Sequence, residues 1–157
     1  MKLHIEWGSP VALKDARREN LIYKTDLAKL PDAAGIYVFG RRWGRGQFEA
    51  LYVGQALRIR GRVKAQFNNL GLMQYLRKAK AGKRTVLAGR ILTRPGQRLD
   101  KCLALIERGL IRNFLSEGHD LVNKQGTRLR HHEVVSTGRH PKRFIKPLMF
   151  IDRAKGE

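Results

Sequence analysis

Two tyrosines, one arginine and one glutamate are the residues of this sequence whose types and spacing suggest chemistry. Tyr37 lies in Gly35-Ile36-Tyr37 and Tyr52 in Tyr52-Val53-Gly54. Arg62 follows the second tyrosine by 10 residues, and Glu107 sits within L-I-E-R-G-L-I-R. Two phenols, a guanidinium and a carboxylate beside a basic surface are sufficient parts for phosphodiester hydrolysis. Arginine binds phosphate oxygens as a fork and keeps its proton. A single carboxylate can anchor a Mg²⁺ ion that retains most of its waters. Such an ion acts as a Lewis acid and acidifies bound water. A tyrosine, ordinarily titrating near 10, accepts a proton only if nearby cations lower that value. Spacing alone leaves open whether these groups converge.

The elements that must position them follow from periodicity. A-G-I-Y-V-F-G and A-L-Y-V-G-Q-A each alternate as strands, and together they predict a hairpin. In the first, Gly35, Tyr37 and Phe39 point one way and Ile36 and Val38 the other. In the second, Tyr52 and Gly54 share a face opposite Leu51 and Val53. The connection from Gly40 to Phe48 holds three glycines and three arginines and predicts a flexible, positive loop. Leu57 to Leu70 has helical period, with Ile59, Val63, Phe67 and Leu70 as its apolar stripe. Arg58, Arg62 and Gln66 line the edge of that stripe. A second short helix is expected over Leu72 to Lys80, stopped near Gly82. A third strand is expected over Thr85 to Thr93, then a turn at Arg94-Pro95-Gly96. Gln97 to Leu115 is the clearest helix, burying Leu99, Leu103, Ile106, Leu110, Ile111 and Phe114. Glu107 falls inside that apolar face, where an ionised carboxylate is costly without a partner such as arginine or a metal ion.

Outside this core the patterns are shorter. Residues 2–7 predict a strand. Pro10 to Asn20 is ambiguous, with one helix over V-A-L-K-D-A-R-R-E-N as one reading. Asp26 to Pro31 predicts a single helical turn stopped by proline. His131 to Thr137 predicts a strand, and Lys142 to Asp152 is strand or helix. Adjacent His131 and His132 on a strand point to opposite faces and do not share a metal. Cys102, the single cysteine, reads as a packed thiol.

Composition bounds the partners. The 157 residues suffice for one domain, and 42% hydrophobic content places it among globular chains. Net charge is +20, which argues for a polyanionic partner, nucleic acid first. Between Arg41 and Arg98 there are 15 Lys or Arg and one acid, Glu49. The expected nucleic-acid contacts are Arg41, Arg42, Arg45, Arg60, Lys64, Arg77, Lys78, Lys80, Lys83 and Arg84. No stretch reaches the roughly 18 apolar residues of a spanning helix, and the start lacks the apolar run of a signal peptide. A cytoplasmic protein without a membrane role is expected, as monomer or homodimer.

Taken in order, Gly35-Ile36-Tyr37, Tyr52-Val53-Gly54, Arg62, Glu107 in its helix and Asn123 resemble the GIY-YIG nuclease domain over about residues 33–123. The resemblance implies an α+β fold with a small three-stranded antiparallel sheet flanked by helices. It implies a single domain over 1–157, with extensions at 1–32 and 124–157. It further implies a metal-dependent endonuclease that hydrolyses DNA by in-line attack of water. In that scheme Tyr37 acts as general base or orients the water, and Tyr52 positions water or phosphate. Arg62 stabilises the phosphate, and Glu107 is the only protein ligand of one divalent ion, Mg²⁺ or Mn²⁺. Asn123 is structural or bonds at the site's edge, and Gly35 and Gly54 allow close approach of backbones. Three departures from the pattern are visible. The link between the tyrosines is long. Gln66 stands where relatives carry histidine or tyrosine, and it cannot take a proton usefully. Gln55 stands where some carry lysine, leaving Arg58 or Arg60 as the replacement cation. The alternative reading is a catalytically silent module that binds DNA or RNA.

Overall fold

The computed structural model describes residues 1–122 and 128–153. Its centre is the hairpin of β5 (Gly35–Trp43) and β6 (Gln47–Ala56). The next strand of the sheet, β7 (Lys83–Leu92), pairs antiparallel with β5 on the side away from β6. The sheet has five strands rather than the expected three, in the order β1-β7-β5-β6 with β2 also on β7. The added strands are β1 (His4–Trp7) and β2 (Val11–Ala12). They pair with Gly89–Leu92 and Thr85–Val86 of β7 respectively. Without them β7 would present an unpaired edge of N–H and C=O groups. The segment read as a possible helix from Val11 therefore forms β2, then β3 (Lys14–Asp15) and a short 3₁₀ turn at Arg17–Glu19. β3 pairs with β4 (Tyr23–Lys24). The expected turn before Pro31 is a 3₁₀ helix over Leu27–Lys29, capped by the Asp26 carboxylate accepting from the Ala28 N–H.

Helices cover both faces of the sheet. On one lie α1 (Ile59–Gln66) and α2 (Leu70–Lys78). They bury Ile59, Val63, Phe67, Leu72, Met73 and Leu76 against Tyr37, Phe39, Leu51, Tyr52 and Val86. Leu70, expected in the α1 stripe, instead opens α2 and is exposed, because Asn69 ends the first helical run by capping the second with its side chain. On the other face α3 (Leu99–Ser116) packs Leu103 and Leu115 on Ile36, Val38, Ala50 and Val53. Leu99, Ile106, Leu110, Ile111 and Phe114 flank that cluster, half-buried.

The β5–β6 register contains a bulge. Phe39 pairs with Tyr52 but Gly40 pairs with Ala50, so Leu51 is the extra residue. This places Leu51 and Tyr52 in the same core cluster, contrary to their expected alternation. The link is also shorter than expected. Pairing continues to Trp43 and Gln47, so only residues 44–46 turn. Gly44 (φ +56°) and Gly46 (φ +85°) adopt the left-handed backbone this tight turn needs. Beyond α3 come β8 (Leu121–Val122), β9 (Arg128–Leu129), β10 (His131–Val135) and β11 (Leu148–Asp152). β8 pairs with β9, and β10 with β11, which resolves the tail as a strand. Among the described residues no helix is long and apolar enough to cross a membrane.

Candidate functional site

Register decides which side each candidate faces. Tyr37 and Tyr52 belong to the α1 and α2 face. Gln55 pairs with Ile36, a residue of the α3 face, and its amide reaches α3. The candidate residues therefore divide between the two faces of one sheet end, within a residue pair or two along β5 and β6.

On the α1 face the two phenols meet through Gln66. Its Nε2 donates to the Tyr37 hydroxyl at 2.7 Å and to the Tyr52 hydroxyl at 3.2 Å. The ring centroids of the two tyrosines lie 6.0 Å apart. Asn69 Nδ2 in turn donates to Gln66 Oε1 at 3.3 Å, a residue that sequence reasoning missed although an asparagine before a helix is its usual cap signal. Tyr37 is 0% exposed and Tyr52 2%, so neither ring presents a face to solvent. Burial pushes the Tyr52 phenol above its ordinary value, and neighbouring Tyr37 adds to the rise. The Gln66 hydrogen bond and the Arg62 charge pull the other way. Arg62 thus stands close enough to act on Tyr52, while remaining exposed on α1 one turn before Gln66.

Gly54 and Gly35 are explained by contacts inside the protein. A Cβ on Gly54 would stand 2.4 Å from the Tyr37 ring and hydroxyl. One on Gly35 would stand 1.9 Å from the Gly89 carbonyl oxygen of β7. Each glycine makes room for its neighbour.

On the α3 face Gln55 Nε2 donates to Glu107 Oε2 at 3.0 Å. Glu107 is buried, at 8% exposure. It borders a cavity of about 290 Å³ shared with Arg108, Ile111, Arg112, Leu115, Leu129, Asp152 and Arg153. Among the described residues no cluster of three or more His, Cys, Asp or Glu side chains could hold a metal ion. The donor set at Glu107 is one hard carboxylate beside an amide. That set suits a divalent ion keeping most of its waters and does not suit zinc, which prefers nitrogen and sulfur.

The basic residues divide by use. Arg41 is buried, bonding Glu49 Oε2 at 2.8 Å and the Ala81 carbonyl at 2.7 Å. Arg60 donates to the carbonyls of Leu30 and Ala28. Arg84 donates to those of Leu76, Ala79 and Gly82 around the end of α2. These three serve the fold, although they were expected among the nucleic-acid contacts. Arg42, Arg45, Arg58, Lys64, Arg77, Lys78, Lys80 and Lys83 are exposed. Asn123 lies outside the described residues. No family model, curated protein or solved structure matches the chain.

Proposed function

We propose that this protein is a metal-dependent endonuclease acting on DNA, of the GIY-YIG kind its motifs resemble. The observation that supports this best is the cluster of Tyr37, Tyr52 and Gln66 on one face of β6, with Arg62 exposed one turn away on α1, and the Gln55–Glu107 pair on the other face. Both groups flank β6, the last strand in the order of its sheet, along which β8 packs with Leu121 on the α3 face and Val122 on the α1 face. The exposed Arg62 forks a phosphate and offsets the negative charge that grows on it as water attacks phosphorus and the ester oxygen leaves. Gln66, held by both phenols, fixes the α1 turn that presents Arg62. Tyr52, kept protonated by burial, is a hydrogen-bond donor and not a base. Tyr37, which is fully buried and accepts from Gln66, braces the same α1 turn. Glu107, steadied by Gln55, would hold a Mg²⁺ or Mn²⁺ ion, which when bound supplies Lewis acidity and acidified water.

The burial of both phenols favours a second reading, a nucleic-acid-binding module without catalysis. Incubation of plasmid and single-stranded DNA with Mg²⁺, Mn²⁺ or EDTA separates the two. The nuclease reading expects cutting that needs the ion and disappears in Glu107→Ala. Equal cutting by both proteins would remove Glu107 from the site. Absence of cutting on duplex, single-strand, flap and junction substrates, with binding retained, would establish the module. RNA competing far better than DNA would redirect the module to RNA.

A further inference from the structure

Two neighbouring rows cross β6, β5 and β7 at the hairpin's far end. The first is Glu49, Arg41 and Arg84, and the second is Phe48, Arg42 and Lys83. Their side chains point to opposite faces, as successive residues on a strand must. In the first row every charged side chain has hydrogen-bond partners. Arg41 meets the Glu49 carboxylate, and Arg84 meets the carbonyls around the end of α2. Both rows set two cations directly opposite each other across β5 and β7, Arg41 with Arg84 and Arg42 with Lys83, an arrangement that destabilises a sheet, and in the second row no such partners offset it. Arg42 and Lys83 are exposed, and among the described residues neither has a carboxylate or carbonyl partner. Arg42 lies over the Phe48 ring, 5.7 Å from its centroid, and Phe48 is itself 45% exposed.

The backbone holds this juxtaposition in place. Gly82, at φ +139°, lies so close to β5 that a Cβ there would stand 2.7 Å from the Arg42 carbonyl oxygen. The approach starts β7 against Arg42 and sets Lys83 beside it. The tight turn at 44–46 adds the exposed Arg45 at the tip. Arg42 lies five residues from Tyr37 along β5, which is about 17 Å in an antiparallel strand. A charge repulsion built into a rigid sheet end is relieved by an anion that bridges the two cations.

We infer that the Phe48-Arg42-Lys83 row is a second DNA contact, remote from the tyrosine cluster, in which Arg42 and Lys83 grip backbone phosphates and Phe48 packs on the sugar beside them. The choice of nucleic acid rests on the nucleic-acid part of the proposed function and on the chain-wide charge of +20. It does not depend on catalysis. One half-exposed ring is too little apolar surface to anchor a membrane.

The test is binding of a fluorescent DNA duplex by anisotropy in EDTA, where cutting cannot intervene, across about 50 to 200 mM salt. Arg42→Gln with Lys83→Gln is compared with Lys142→Gln with Lys146→Gln, which removes the same charge from the C-terminal segment. The row variant should lose at least about tenfold in affinity and lower the salt slope by roughly 1.8, for two phosphates. The control should change both far less. The row variant should also melt at the same or a higher temperature, because a repulsion has gone. Equal losses in the two variants would overturn the inference, as would binding of anionic vesicles that the row variant loses while keeping its DNA affinity. If the wild type fails to bind DNA at all, the nucleic-acid reading falls with it. If it binds but never cuts, only the catalytic reading falls.

Discussion

The two faces of the β5–β6 hairpin treat their polar side chains in opposite ways. On the α1 face, Tyr37, Tyr52 and Gln66 are packed out of solvent and hydrogen-bonded to one another. On the α3 face, Glu107, bonded to Gln55, borders a cavity of about 290 Å³ edged by Arg108, Arg112, Arg153 and Asp152. A closed polar cluster specifies packing and holds a helix in place. A carboxylate at the wall of a cavity lined by three arginines and a second carboxylate has room for an ion and an anion. Under the proposed function the first face serves stability and the second chemistry, with Arg62 as the exposed outpost of the first.

The sharpest way to break this comparison is to damage each face and read both activity and stability. Glu107→Gln keeps the shape and removes the charge. Loss of several kcal/mol of electrostatic stabilisation should lower cleavage about a hundredfold or more, with far-UV circular dichroism unchanged. Cleavage near the wild-type rate would return the chemistry to the tyrosine face. Gly54→Ala should do the reverse. Its Cβ would stand 2.4 Å from the Tyr37 ring, and overpacking of this kind costs roughly 1–3 kcal/mol. The melting temperature should fall by roughly 3–10 °C in a domain of this size, and an unchanged value would show that the phenol cluster gives way easily. Gln55→Ala tests the α3 face more gently. Removing a side chain that orients a metal ligand costs about 10- to 100-fold in metal affinity or activity. The half-saturating Mg²⁺ concentration should rise about tenfold at its low end, while Km for DNA stays put.

The same contrast explains what the sequence disclosed. The strands, α3 and the misplaced phase of Glu107 were legible because alternation and helical period are local patterns. The five-stranded sheet was not, because β2 is two residues long and pairs with Thr85–Val86 far along the chain. A two-residue strand carries no alternation to read. The bulge at Leu51 was hidden for a related reason: A-L-Y-V alternates equally well with or without it, and only pairing to Gly40 reveals the extra residue. The candidate residues were legible as a set through their order, yet their division between faces depends on register, and a single strand's sequence does not state which helix covers which side. Gln66 was read by what it lacks, a titratable group. Its position shows what it supplies, a donor amide shared by two buried hydroxyls. Arg41 and Arg84 looked like surface charge because the carboxylate and carbonyls that claim them come from other elements.

The smallest effect isolates Tyr52. Burial raises its folded value above that of the unfolded chain, with Tyr37 assisting. Below about pH 10 the phenol is protonated in both states and contributes no pH dependence. Above it the unfolded chain loses the proton while the folded protein keeps it. The unfolded state then binds fewer protons, so unfolding becomes easier as pH rises. The melting temperature of the wild type should therefore fall more steeply above pH 10 than that of Tyr52→Phe, with the two curves parallel at neutral pH. Arg62 pulls Tyr52 the other way, so Arg62→Gln should carry the Tyr52 part of the fall to higher pH, and that extension should vanish in the double variant with Tyr52→Phe. Parallel curves throughout for wild type and Tyr52→Phe would mean that the hydroxyl reaches solvent, and the α1 face would then be as open to chemistry as the α3 face.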